Sequence, residues 1–284
     1  MECTSSIFYV IIIKEFGNKL ALKNKEDSIM SEKKELAKQE TTDVTTNNNL
    51  NAPMGFEDED TGDMLIPRIK IVQTLSPERK DKLAEEGDII DSLTKAKLNG
   101  KKFIPVFKYN SNIDWKDRSE GGGIRCMAND GRIGSQSDGT TIPCRQCGRC
   151  EFDNSQTGRD AIPKCTKYMN FFGFFEGERM PIILSFAKTN YAEGKKLFSL
   201  AKVTMQNMWN HGYTLNEKLM SKNGNEWYNI VVSPAGATSE EDRDFGMQLF
   251  KCYRDSIANL NVDYEEGDAA ASSAPTPDIS NTEF

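Results

Sequence analysis

The feature that most constrains this chain is a cluster of cysteines. Five of its seven, Cys126, Cys144, Cys147, Cys150 and Cys165, fall between positions 126 and 165. With no export signal in the sequence, thiols grouped this way hold metal more often than they form disulfides. The centre of the cluster reads Cys144-Arg145-Gln146-Cys147-Gly148-Arg149-Cys150. A CxxC turn sets two thiolates on one knuckle, placed for two corners of a tetrahedron about 2.3 Å from a zinc ion. A second pair must come from elsewhere: Cys126, before the Asn129-Asp130-Gly131 turn, and Cys165, after Pro163-Lys164. Five thiols exceed four ligands. The expected set is Cys126, Cys147, Cys150 and Cys165 with Cys144 spare; the alternative makes Cys144 and Cys147 the knuckle. Arg125, Arg145, Arg149 and Lys164 stand nearby to offset the charge of four thiolates. An iron–sulfur cluster fits less well, because the run lacks the CxxxCP completion of ferredoxins.

Such a zinc would be structural. Pro143-Cys144-Arg145-Gln146-Cys147 matches the PCxxC half of the zinc deaminase signature, but that chemistry also needs an upstream HxE. The sole histidine is His211, downstream of the cluster, and it reads as a turn or surface residue. A closed site of four cysteines leaves no coordination position for water. No GxxxxGK[ST], HExxH or GxSxG pattern occurs either. The expectation is a binding protein, not an enzyme.

Charge points to an anionic partner. The formal net charge is -7, yet residues 101–210 carry +6, between -5 for residues 1–100 and -8 for residues 211–284. A basic centre between acidic ends predicts a central anion-binding surface. Residues 1–53 read as a disordered or extraneous extension, with Met30 as the natural start; the apolar run Ile7–Ile13 is far short of the ~20 residues of a membrane span. The expected location is the cytoplasm.

Between these ends the pattern alternates strands with a few helices. Met64–Val72 reads as a strand, and Ser76-Pro77-Glu78 opens a short helix that Gly87 ends. Phe103–Tyr109 reads as a strand continuing toward Trp115. Tyr168–Glu176 and Met180–Phe186 form a predicted hairpin, and Asn190–Met208 a helix. Asn223-Gly224 marks a second hairpin between Tyr213–Met220 and Glu226–Val232. Ser239 with Asp242 resembles a capping box before an amphipathic helix running from Phe245 to Leu260. The fold class expected is mainly β (α+β): an OB-like antiparallel β barrel over residues 54–262, flanked by helices, with a four-cysteine zinc-ribbon insertion at about 124–166.

Aromatic residues interleave with lysines in the basic centre. Bases of single strands stack on exposed rings while lysines follow the phosphates. The candidate binding residues are Lys101, Lys102, Lys108, Tyr109, Trp115, Lys167, Tyr168, Phe171, Lys188, Lys195 and Lys196. Strand alternation assigns one face of Tyr168–Glu176 to the core and leaves the other available. Residues 263–284 hold six acids and no Lys or Arg, and read as a disordered tail with Asp278, Glu283 and Phe284 at its end.

An acidic tail ending in phenylalanine resembles those of bacterial and phage single-stranded DNA-binding proteins. Gly55-Phe56-Glu57, Leu65-Ile66-Pro67-Arg68-Ile69-Lys70, the Cys147/Cys150 knuckle, Pro163-Lys164-Cys165 and Tyr168-Met169-Asn170-Phe171 are likewise similar to a group of phage-encoded proteins with that role, over about residues 54–237. The tail lacks the proline of the bacterial consensus before its last residue. The resemblance implies an OB-fold that binds single-stranded DNA without sequence preference in replication or recombination. Asp278, Glu283 and Phe284 would recruit replication or recombination partners. A zinc-stabilised protein-interaction module with no nucleic-acid role is the alternative.

Overall fold

The structure is a computed structural model that describes residues 65–116, 119, 121–147, 149, 164–257 and 262. The N-terminal extension, the acidic tail with Asp278, Glu283 and Phe284, and Cys150 lie outside the described residues. Ten strands join in one mixed sheet. Strands β1 (Arg68–Ile71) and β2 (Ile89–Asp91) flank helix α1 (Pro77–Lys80), and β3 (Lys102–Trp115) follows. Next come β4 (Ile124–Ala128), β5 (Ile133–Gln136) and β6 (Thr141–Pro143), then β7 (Cys165–Phe175) and β8 (Ile182–Ala187). Helix α2 (Tyr191–Val203) precedes β9 (His211–Lys222), β10 (Asn225–Ala237) and helix α3 (Glu240–Tyr253). Among the described residues no helix is long and apolar enough to cross a membrane.

The topology is OB-like. β3, β7 and β8 form an antiparallel meander, α2 follows it, and the β9–β10 hairpin returns so that β9 pairs with the start of β3 at Phe103↔Tyr213. These are five strands of a Greek-key barrel with a helix between the third and fourth. β1 lies in the remaining gap, parallel to β8 at Arg68↔Ile183. Among the described residues no ladder joins it to β10. Instead the Gln73 side chain completes the closure: its Nε2 donates to the Tyr228 carbonyl at 2.7 Å and its Oε1 accepts from Tyr228 N at 2.9 Å.

The interior is filled from every wall, by Ile69, Phe103, Phe171, Leu184, Leu215, Ile230 and Val232, and α2 lays Leu197 and Ala201 across it. Each large side chain buried here contributes about 1.5–3 kcal/mol. The β9–β10 turn is the one Asn-Gly predicts: Asn223 and Gly224 both have positive φ, 53° and 79°, matching the twist of the flanking strands. The Ser239 hydroxyl accepts from Asp242 N at 3.1 Å, so the cap that begins α3 is present.

The helices and β7 differ from expectation: α3 ends at Tyr253, short of Leu260. α1 is a single turn. α2 stops at Val203, well before Met208, and a turn through left-handed Met205 (φ 50°) leads to a 3-10 segment at Met208–Asn210. The expected one-sided exposure of β7 is also absent. Tyr168 to Phe175 are all buried, because α2 covers one face and α3 the other. Phe171 and Phe175 belong to the barrel interior. Phe172 stacks on Phe107 at 4.8 Å and meets Tyr253 of α3 at 5.1 Å, while Phe174 meets Phe245 edge-on at 4.8 Å.

Candidate functional site

β3 organises the site because its two edges have different partners. β7 pairs along one edge from Phe103 to Asp114. On the other, β9 takes Lys102 and Phe103, and β4 takes Asn112 to Trp115. The sheet therefore forks at β3: one branch is the barrel, and the other is the cysteine insertion formed by β4, β5 and β6. The sequence pattern gives this segment no strands of its own.

The register puts the key residues on one face. Asp114 lies directly between Cys126 of β4 and Cys165 of β7, and Gln136 lies beyond Cys126. Cys126 Sγ packs over Gly134, where a Cβ would come within 2.5 Å of it. The knuckle folds down onto this face. Cys144 N donates to the Arg132 carbonyl at 2.7 Å, Cys147 Sγ to the Cys144 carbonyl at 3.3 Å, and Cys165 N to the Arg149 carbonyl at 3.0 Å. Arg149 Nε reaches the buried Asp114 carboxylate at 2.5 Å, and Arg125 approaches the same oxygen at 3.7 Å. The hydrogen bond to Asp114, opposed by burial and reinforced by the nearby Cys165 and Cys147, holds the Arg149 guanidinium more firmly protonated than usual.

A cavity of about 100 Å³ remains, walled by Cys126, Cys147, Cys165, Asp114 and the two arginines. Cys144 lies beneath it, buried against Ala128, with Cys147 and Cys165 packed on the pair. Four of the five clustered thiols thus meet at one place. Cys126 and Cys165 flank Asp114 two strand spacings apart, about 9.5 Å between Cα atoms. Among the described residues no three Cys, His, Asp or Glu side chains are gathered at metal-holding distance. The donor chemistry fits zinc, and closure would require Cys126 and Cys165 to lean together over Asp114 while Cys150 completes the set.

The same face continues toward the barrel as a basic surface. Lys167 is opposite Asn112, and Lys108 follows on that face of β3. Ala187 pairs with Tyr168, so Lys188 leaves β8 level with Lys167. Burial, and then the charge of Lys167, pushes the Lys108 ammonium below the ordinary lysine value. Burial alone does the same to Lys188. Lys188 also holds a left-handed backbone (φ 48°), rare for a residue with a side chain. Lys195 lies on α2 with its ammonium 5.5 Å from the Tyr191 ring.

Other candidates are buried or paired within the fold. Phe171 is fully buried, and Tyr109 and Tyr168 are buried on the opposite face, so none of the three offers a free ring to a base. The physical reason is the double covering of β7 by α2 and α3. Trp115 is half-buried and donates to the Tyr168 hydroxyl at 3.3 Å. Lys102 is bonded to Glu176 at 2.6 Å and to the Ala237 carbonyl at 2.8 Å, its stem lying over Gly212. Lys101 pairs with Glu178 at 2.9 Å and Lys196 with Glu193 at 3.2 Å. Asp114, the residue that anchors the knuckle, was missed by sequence reading; its one signal is that it is the sole acid in β3.

An OB-like barrel with a basic face and a cysteine-rich insertion between its first two strands defines the class. The chain belongs to the Pam3 phage gp34-like protein family, whose model matches residues 32–254. Neither the curated proteins nor the solved structures contain a match.

Proposed function

We propose that this phage-type protein binds single-stranded DNA without sequence preference. The observation that supports the reading best is that Lys108 and Lys167 share one face of β3 and β7, with Lys188 leaving β8 level with Lys167, where the barrel meets the cysteine insertion. In OB-folds the face of the second and third strands and the loops joining strands one–two and four–five contact oligonucleotides. Here α3 covers the outer face of β7, which leaves the two loops, the cysteine insertion and the β9–β10 hairpin, for contact. Phosphates would lie along the lysines, and Arg125 and Arg149 would extend the positive surface over the insertion. Substituting Lys108, Lys167 and Lys188 together with alanine should weaken oligo(dT) binding at least tenfold in fluorescence anisotropy. Unchanged affinity would remove this face from the site.

The zinc reading is part of the same proposal. A structural Zn²⁺ held by Cys126, Cys147, Cys150 and Cys165 would fix the insertion beside the lysine face. Metal analysis of purified protein should give about one zinc per chain. Serine at Cys147 should abolish it, whereas serine at Cys144 should leave it. If both variants keep full zinc, the ligand set is wrong.

A further inference from the structure

At the fork of the sheet, from Ile104 to Ser111, no described strand pairs with the edge of β3 that faces away from β7. Along this stretch β3 is paired, of the described strands, only with β7, with a register shift between Pro105 and Phe107. α2, the 3-10 segment Met208–Asn210 and α3 close around it and leave an open groove of about 600 Å³. This lies within the ~300–1,000 Å³ of ordinary ligand pockets.

The lining has a distinctive chemistry. Four rings, Phe107, Phe198, Trp209 and Phe250, border the groove, and the last three are partly exposed. Trp209 and Phe250 lie 5.4 Å apart at 43°, so they present two differently tilted faces to it. The charged groups in the lining are Lys108, Lys202 and Arg254, with no carboxylate among them. Among the described residues none of these three has an ion-pair partner. Arg254 lies 5.8 Å from the Phe107 ring and Lys108 5.6 Å from the Phe198 ring, which places both cations against the groove wall.

We propose that this groove is a nucleobase pocket of the single-stranded DNA path, in which an unpaired base stacks on Trp209 and Phe198 while its phosphates pair with Lys108, Lys202 and Arg254. The inference rests on the function proposed above and adds to it a site outside the usual OB strand face. Lys108 carries the argument, since it belongs both to the lysine face and to the groove. A strand running along that face meets the groove with its phosphates already at Lys108. Its bases, splayed from the backbone, would find rings there. An apolar peptide would use the rings but leave three cations without partners.

The test is Trp209 emission in a full-length Trp115→Phe/Trp227→Phe variant, titrated with oligo(dT) and with an abasic oligonucleotide of equal length. Anisotropy of a labelled strand follows binding in parallel. Quenching by oligo(dT) but not by the abasic strand is expected. Phe198→Ala, at a residue 36% exposed, should weaken oligo(dT) binding roughly tenfold, within the range for losing one stacked base. If oligo(dT) binds by anisotropy yet Trp209 emission and the Phe198→Ala affinity do not change, the pocket is refuted and DNA binding stands. If no strand binds, both fail together.

Discussion

Lys188 combines two properties that are separable by substitution. Its φ of 48° costs of order 1 kcal/mol for a residue with a side chain, and its ammonium stands at the end of the proposed DNA face. Glycine at this position removes the strain and the charge together. Lys188→Gly should leave the melting temperature equal or slightly raised while oligo(dT) affinity falls several-fold. A loss of both would mean that Lys188 is structural. Lys108 gives a second residue-scale test, through pH. Burial and Lys167 lower its proton affinity in the free protein, and a bound phosphate would raise it, so binding takes up a proton once the free side chain has begun to titrate. Affinity should therefore decline with rising pH below the ordinary lysine range. Lys108→Arg, charged throughout, should hold its affinity through that window. Equal pH profiles for the two proteins would exclude Lys108 from phosphate contact.

Among the elements, β7 shows most clearly how sequence and structure relate. Its start lies at Cys165, three residues before the expected Tyr168, but its end was legible to within a residue, because a turn marks it. Its exposure was not. A run such as Phe171-Phe172-Gly173-Phe174-Phe175, with no polar alternation, signals a strand buried on both faces, and the second cover, α3, arrives some seventy residues later. Gly173 was equally silent. A Cβ there would collide with the Ile104 carbonyl and lie 2.6 Å from the Phe103 ring, beside the register shift in β3. Gly173→Ala should destabilise the fold by at least ~1–3 kcal/mol, the usual cost of overpacking, read as a lower denaturant midpoint. By contrast, the Asn223-Gly224 turn and the Ser239 cap were visible because they are local. Strands β4 to β6 are three to five residues long, so their pattern is too short to show a period. The groove lies beyond sequence reading altogether: its rings come from positions 107, 198, 209 and 250, and only the fold brings them together.

Across the whole molecule, three devices compensate for a sheet that forks. The Gln73 amide closes the barrel at Tyr228, α2 and α3 cover the two faces of β7, and the cysteine knuckle docks on Asp114 through Arg149. The third holds the insertion against the basic face, and zinc would strengthen it. Chelation of the metal should lower the melting temperature and weaken oligo(dT) binding, with the barrel's far-ultraviolet circular dichroism largely kept. Loss of all secondary structure on chelation would show that the insertion supports the entire fold.

The most direct measurement of the central claim is the salt dependence of oligo(dT) affinity, by fluorescence anisotropy from low to moderate ionic strength. If Lys108, Lys167 and Lys188 each neutralise a phosphate, log Kobs should fall against log salt with a slope of about -2 or steeper, near -0.7 per contact for a single strand. Removing one lysine should flatten it by about 0.7. Micromolar or tighter binding at low salt with that slope is the predicted result; no binding at micromolar protein in low salt would contradict the account.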